Sequence, residues 1–233
     1  MRDHSNIAGK SPKTTLLIPT LNEEENLPRV LSNIPPIVTE ILIVDGHSKD
    51  NTVKVARELR PDVRIVYQKG KGKGDALKCG IQEASGDIVV ILDADASMDP
   101  REIPRFITAL MNGYDYVKGS RFLAAGGTLD MPAYRRLADR AFVFLEKLLY
   151  GAKYTDATYG YKAFWAKSFK DIKLRTNGFE IEVEIDIKAK KAGLRVTEVP
   201  CHEEKRFRGE AKLHSLRDGW RILITILGER FHN

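Results

Sequence analysis

The run Val89-Val90-Ile91-Leu92-Asp93-Ala94-Asp95-Ala96-Ser97 decides how the rest of the chain is read. Its first four residues are aliphatic without alternation, the pattern of a strand buried on both faces inside a parallel sheet. It stops on two aspartates one residue apart. In an open α/β sheet, ligands bind in the crevice beyond the carboxyl ends of the strands. Two carboxylates held together there repel each other unless a cation lies between them, and a hard divalent ion shared with a phosphate satisfies both. The competing reading is a strand-end turn whose acids cap the next helix. That suits Asp99, which precedes Pro100 and a helical pattern, better than it suits Asp93 and Asp95.

Outward from this stretch, strands and helices alternate. Thr14–Pro19 reads as a buried strand stopped by its proline. Asn22 is expected to cap a helix with Glu23, Glu24 and Glu25 in its first turn and Leu27, Val30 and Leu31 on its apolar face. Ile41–Asp45 is a second strand ending on an acid, Asp50 caps a second helix, and Val63–Tyr67 is a third strand. The later part predicts a helix after Pro100, a strand over Tyr114–Gly119, and a helix over Ala133–Tyr150 with Leu137, Ala141, Phe144, Leu145 and Leu148 on one side. Thr155–Phe164 reads as irregular or a short strand and carries Asp156. A helix over Phe179–Ala192 and a strand over Leu194–Pro200 follow, and His214–Phe231 forms an amphipathic helix with Leu216 and Trp220. The alternation, with short connections, predicts an α/β fold with a mostly parallel central sheet and helices on both faces. Residues 1–13 are expected to be a disordered tail. Residues 14–233 are expected to form a single domain: a nucleotide-binding half over 14–97, an acceptor half over 98–212 and a terminal helix over 213–233.

Two segments concentrate positive charge. Gln68-Lys69-Gly70-Lys71-Gly72-Lys73-Gly74-Asp75-Ala76 alternates lysines with glycines at the mouth of a helix, an arrangement that suits phosphate, although no Gly-Lys-Ser/Thr closes it into a P-loop. Glu203–Lys212 carries Lys205, Arg206, Arg208 and Lys212 around Gly209. The usual meaning of such a run is a solvated surface, but its place after a terminal strand lets it fold over an anionic ligand. The whole chain, 233 residues with 42% hydrophobic and 30% charged, is that of a soluble globular protein with formal net charge +6. That excess suits a phosphate-rich ligand or an anionic membrane surface and is too mild to imply nucleic acid. The two cysteines, Cys79 and Cys201, lack metal-ligand spacing. No apolar run approaches the ~20 residues of a spanning helix and no signal-peptide pattern opens the chain, which predicts a cytoplasmic protein, peripheral on the inner face of a membrane if its acceptor is a lipid. Self-association is left open.

With these pieces in order, the sequence resembles the inverting family 2 glycosyltransferases of the GT-A fold, and among them the dolichyl-phosphate (polyprenyl-phosphate) hexose synthases. The pieces that carry the resemblance are Ile18-Pro19-Thr20-Leu21-Asn22-Glu23, Ile43-Val44-Asp45-Gly46-His47-Ser48-Lys49-Asp50-Asn51-Thr52, Gly86-Asp87, Asp93-Ala94-Asp95, Gly119-Ser120-Arg121, and Glu198-Val199-Pro200 followed by Arg206, Gly209 and Lys212. The resemblance implies a nucleotide-diphosphate sugar as donor, of the GDP-mannose or UDP-glucose type, and a polyprenyl phosphate as acceptor at a membrane surface. It implies that Pro19, Thr20 and Glu23 line the base and ribose pocket and that Asp45 accepts from the base edge. It places Mg²⁺ or Mn²⁺ on Asp93 and Asp95, with Ala94 between them and Lys73 nearby in the donor site. Arg121, Arg206 and Lys212 neutralise phosphate, with Arg135 and Arg208 completing the phosphate and acceptor set. A phosphate acceptor arrives largely ionised and needs no strong base; a hydroxyl acceptor needs one, and Asp156 is the candidate, with Glu180 and Glu182 behind it. Catalytic roles thus fall on Asp156, Arg121 and Arg206.

The sequence departs from the family pattern at Leu21, where a tyrosine is common, at Gly46 in place of a second aspartate, at Ser97 in place of a glutamine, and at Ala211 in place of a serine. No stretch of it reads as the spanning helices that some relatives carry. Two rival classes remain. A nucleotidyltransferase on a similar sheet would place a glycine-rich turn with an arginine where Pro19-Thr20-Leu21-Asn22 stands. A non-catalytic nucleotide-sugar sensor would have no need of Asp95 and Arg206.

Overall fold

The computed structural model describes residues 11–231. The tail expected over residues 1–13 lies, up to residue 10, outside the described residues. The chain runs β1 (Thr14–Thr20), α1 (Leu27–Leu31), β2 (Glu40–Asp45), α2 (Thr52–Leu59), β3 (Arg64–Tyr67), α3 (Lys73–Glu83) and β4 (Ile88–Ile91). A 3₁₀ turn over Pro100–Glu102 then leads into α4 (Ile103–Met111), β5 (Tyr116–Ser120), β6 (Gly127–Thr128) and α5 (Ala133–Tyr150). The last elements are β7 (Lys162–Trp165), α6 (Ala166–Phe169), α7 (Ile181–Lys191), β8 (Val196–Pro200), β9 (His202–Glu203) and α8 (Ser215–Gly228). Seven strands form one sheet in the order β3-β2-β1-β4-β7-β5-β8, and β6 pairs with β9 beside it.

The strands are buried because both sheet faces are covered, and the two-residue period sorts their side chains accordingly. Leu16 and Ile18 of β1 point into one core with Val30, Phe106 and Tyr161, whereas Leu17 points into the other with Leu77, Ile181 and Ile185. Each such aliphatic side chain contributes about 1.5–3 kcal/mol on burial.

Only β7 runs against its neighbours, antiparallel to both β4 and β5. That reversal has a consequence for function. The carboxyl ends of β1, β2, β4, β5 and β8 all open on one edge, and an antiparallel strand brings the loop before it, rather than the loop after it, to that edge. Asp156 therefore belongs to the loop leading into β7, not to the strand.

Two expectations are corrected. Pro19 does not stop β1, which continues to Thr20 and pairs Pro19 with Val44. The missing N–H costs nothing there, because it faces the β4 side, where pairing ended at Leu17 and Ile91. Asn22 does not cap α1: it takes a left-handed conformation (φ 52°), its side chain accepts from the Lys49 N–H at 2.8 Å, and the helix begins one turn later.

Candidate active site

Three clusters of charge meet at the carboxyl edge. The first surrounds the two aspartates beyond β4. Asp95 accepts from the Ser97 N–H and hydroxyl at 3.0 and 2.7 Å, and Arg206 reaches its other oxygen at 3.4 Å. Lys73, at the start of α3, lies 2.6 and 2.8 Å from the two Asp93 oxygens and 2.8 Å from Glu182. Burial, with the Asp95 and Glu182 charges behind it, pushes the Asp93 carboxyl up although Lys73 pulls it down. An acid in that state gains from any further cation.

The lysine-glycine loop also makes a contact that its composition does not announce. A Cβ on Gly72 would stand 2.2 Å from the Asn177 carbonyl, and one on Gly74 2.5 Å from that of Thr176. The Gly74 N–H already donates to Asn177 at 2.8 Å. Gly72 and Gly74 admit a neighbouring loop of the chain itself, which takes one of the free N–H groups of the first turn of α3.

The second cluster is a strap. Beyond β9, residues 204–212 cross back over the first half of the chain. Arg206 donates to both Glu23 oxygens at 2.7 and 2.6 Å, and Lys212 reaches the same carboxylate at 2.7 Å. The Arg208 backbone N–H donates to Asn26, and Phe207 lies under the Arg29 guanidinium at 3.5 Å. Glu23 is therefore engaged by the strap. Asp45 is engaged by its own turn: one oxygen accepts from the Thr20 and Ser48 hydroxyls at 3.2 and 2.6 Å, the other from the Ser48 N–H at 2.8 Å.

The third cluster holds Asp156, which is fully buried. Arg121 grips it by two parallel bonds, Nε to Oδ2 and Nη2 to Oδ1, each 2.8 Å, and the Arg121, Thr158 and Tyr159 N–H groups also donate to it. Burial alone would raise Asp156; the Arg121 guanidinium, the Lys118 charge and the Arg121 N–H hold it below the usual carboxylate range. Arg121 is shared with Glu203 at 3.0 Å, and Asp139 of α5 anchors the same loop through the Ala157 and Thr158 N–H groups. Arg135 is brought to none of the three clusters: it donates to Ser215 at 3.0 Å, where α5 meets α8. Arg208 contributes its backbone rather than its guanidinium.

Two carboxylates facing one crevice suit a divalent ion that takes its remaining ligands from a diphosphate and water. Among the described residues, no group of three or more His, Cys, Asp or Glu is poised to hold a metal by itself. The donor set thus fits an ion that arrives with its nucleotide.

The model of glycosyl transferase family 2 matches residues 15–173, from β1 through the Asp156 loop and β7. The chain belongs to glycosyl transferase family 2. This family 2 chain is 35% identical over 210 residues to dolichol-phosphate mannosyltransferase of Pyrococcus furiosus, covering 86% of the chain and 59% of that relative. It is 31% identical over 211 residues to undecaprenyl-phosphate mannosyltransferase of Micrococcus luteus, covering 84% and 86%. The chain thus spans well under two thirds of the first relative's length. A crystal structure of Mycobacterium tuberculosis glucosyl-3-phosphoglycerate synthase, solved with Mn²⁺, UDP-glucose and phosphoglyceric acid, superposes with a TM-score of 0.77 at 22% identity, covering 97% of this chain and 82% of that one. The expected GT-A architecture is thereby met.

Sequence reading missed the charges beneath the site. Lys118 and Lys162 lie fully buried within β5 and β7 and meet on Asp186 of α7, and Lys162 also bonds Glu182 at 2.7 Å. The signal was present: a lysine inside an apolar strand requires a partner, and α7 carries Glu182, Glu184 and Asp186 at every second position. Asp139 and Glu203 gave no such signal.

Proposed function

We propose that this chain transfers a hexose, with inversion, from a nucleotide-diphosphate sugar to a polyprenyl phosphate. The observation that carries the acceptor is the state of Asp156. A carboxylate gripped by Arg121, fed by three backbone N–H groups and held below its usual range is a weak proton acceptor. An acceptor that arrives ionised makes no demand on it, and a lipid phosphate, with a second pKa near ~6, does so. In this reading a phosphate oxygen attacks the anomeric carbon, the bond to the donor diphosphate breaks on the opposite face, and Asp156 with Arg121 shapes the acceptor side.

Mg²⁺ or Mn²⁺ held by Asp93 and Asp95 would supply positive charge to the departing diphosphate. Arg206 and Lys212 are placed to add to it. Both sit on a strap that turns at Gly209 (φ 73°), and both can exchange Glu23 for phosphate without a change in the sheet.

The outer surface supports a lipid acceptor. Leu137 and Phe144 of α5 and Leu216 and Trp220 of α8 are 62–92% exposed, and Arg136, Arg140, Arg217 and Arg221 are exposed among them. Apolar and cationic side chains so mixed suit the surface of an anionic bilayer, which fits peripheral association. No helix among the described residues is long and apolar enough to cross a membrane.

The test is transfer from radiolabelled GDP-mannose and UDP-glucose, with Mn²⁺ or with EDTA, to a polyprenyl phosphate and to a free sugar. The expected result is a metal-dependent lipid-linked product. Arg206→Ala should lose more activity than Asp156→Asn, which should still bind donor. Transfer to the free sugar alone, abolished by Asp156→Asn with a loss of about 10²–10⁴-fold, would replace the lipid phosphate with a hydroxyl acceptor.

A further inference from the structure

Lys73 occupies the place beside Asp93 that the donor's cation requires. It donates to both Asp93 oxygens at 2.6 and 2.8 Å and to Glu182 at 2.8 Å. The backbone at Gly160 lies against all three groups, since a Cβ there would stand 2.8 Å from the Lys73 nitrogen, 3.0 Å from Asp93 and 3.2 Å from Glu182. Their partners are unequal. Glu182 has a cation of its own in Lys162, at 2.7 Å, and Lys162 is in turn fixed by the Tyr159 carbonyl at 3.0 Å and by Asp186 at 3.5 Å. Among the described residues, Asp93 has an ion pair only with Lys73.

We propose that Lys73 is an internal counter-ion: it keeps the Asp93 carboxylate oriented toward the crevice while no divalent cation is bound, and Glu182 retains it when one arrives. The role rests on the assignment of Asp93 and Asp95 to the donor's metal. An ammonium and a divalent ion on the same two oxygens repel each other, so entry of the ion drives Lys73 off Asp93. Glu182, already within bonding distance, keeps it paired, because Lys162 has a second carboxylate in Asp186. The released ammonium then faces the diphosphate that accompanies the ion. Lys73 and Glu182 are positioning residues in this scheme. Arg206 reaches Asp95 from the strap, whereas Lys73 reaches Asp93 from the start of α3.

The scheme makes predictions of opposite sign. Binding of Mn²⁺ alone, followed by the electron paramagnetic resonance of the free ion, is measured on the native chain and on Lys73→Met, Lys73→Ala and Glu182→Gln. Removing the competing ammonium should tighten Mn²⁺ about ten-fold or more in both Lys73 variants, while Mn²⁺-dependent binding of UDP or GDP weakens. Glu182→Gln leaves Lys73 only Asp93 to pair with, and should weaken Mn²⁺. Lys71→Met, the same charge change on an exposed neighbour in the same loop, should leave Mn²⁺ affinity within two-fold of native and so exclude a general effect of net charge. Thermal unfolding of each variant confirms a folded chain. If the native chain binds UDP and GDP no better with Mn²⁺ than with EDTA, the metal assignment itself falls and this role with it. If the native chain shows that dependence but both Lys73 variants bind Mn²⁺ no tighter than native, the counter-ion role is overturned and the metal assignment stands.

Discussion

Glu146 shows how a single side chain records the electrostatics of this interior. It lies on the inner face of α5, fully buried, and neither of its oxygens has a hydrogen-bond partner. Burial pushes its carboxyl well above the usual range, and the pull of Lys118 does not reverse the shift. A carboxyl whose value is raised on folding binds protons more tightly in the folded chain, so stability falls as pH rises above its ordinary value of 4.5. Glu146→Leu is therefore expected to gain about 1–3 kcal/mol at pH 8 and little below pH 4.5, measured by urea unfolding at both pH values. A loss of stability at pH 8 would mean that the carboxylate contributes as an ion. Glu182 behaves in the opposite sense. Burial would raise it, but Lys162 and Lys73 bring it down to about 2. Its contribution is complete above pH 4.5 and should disappear between there and pH 2, so acid unfolding of the native chain is expected within that window.

At the scale of elements, α3 and α7 are locked by a contact that no helical pattern announces. Gly72 has φ 95° and the Asn177 carbonyl 2.2 Å from where its Cβ would be. Gly72→Ala meets both a disfavoured backbone and a clash with backbone that cannot turn aside. A loss of about 2–4 kcal/mol is expected in chemical denaturation, with weaker Mn²⁺-dependent nucleotide binding because Lys73 is the next residue. Unchanged stability would show that the 176–178 loop is free to retreat. The strand β7 matters at the same scale, because its reversed direction delivers Asp156 to an edge otherwise supplied by parallel strands.

For the whole molecule, the distribution of apolar side chains is the telling feature. α8 buries Ile222 and Ile226 but leaves Leu216 and Trp220 92% and 63% exposed, and α5 turns Asp139 and Glu146 inward with Leu137 and Phe144 outward. The two helices pack on each other. Binding to vesicles containing anionic lipid is expected at low ionic strength and should weaken as salt rises. Leu216→Glu with Trp220→Glu should reduce it about ten-fold or more in sedimentation assays, with thermal stability close to native, because both residues are already exposed. Equal binding by native and doubly substituted chains would remove this face from consideration.

Much of this was legible in the chain itself. Unbroken aliphatic runs such as Val89–Leu92 define buried strands because burial on both faces removes any need for alternation, and acids at strand ends mark the crevice because nothing else tolerates them there. The family followed from the order of such pieces. Other features depended on contacts between residues distant in sequence. Gly72 and Gly74 serve the close approach of a loop a hundred residues on, and the cations of the strap rest on Glu23 and Asp95. α5 turns Phe142, Leu145 and Leu149 toward α7 and α8 but leaves Leu137, Phe144 and Leu148 exposed, because its inner face also carries Asp139, which holds the Asp156 loop. Local periodicity states that a helix has two faces; only the partners that tertiary packing sets beneath it, apolar and charged, decide which one turns inward.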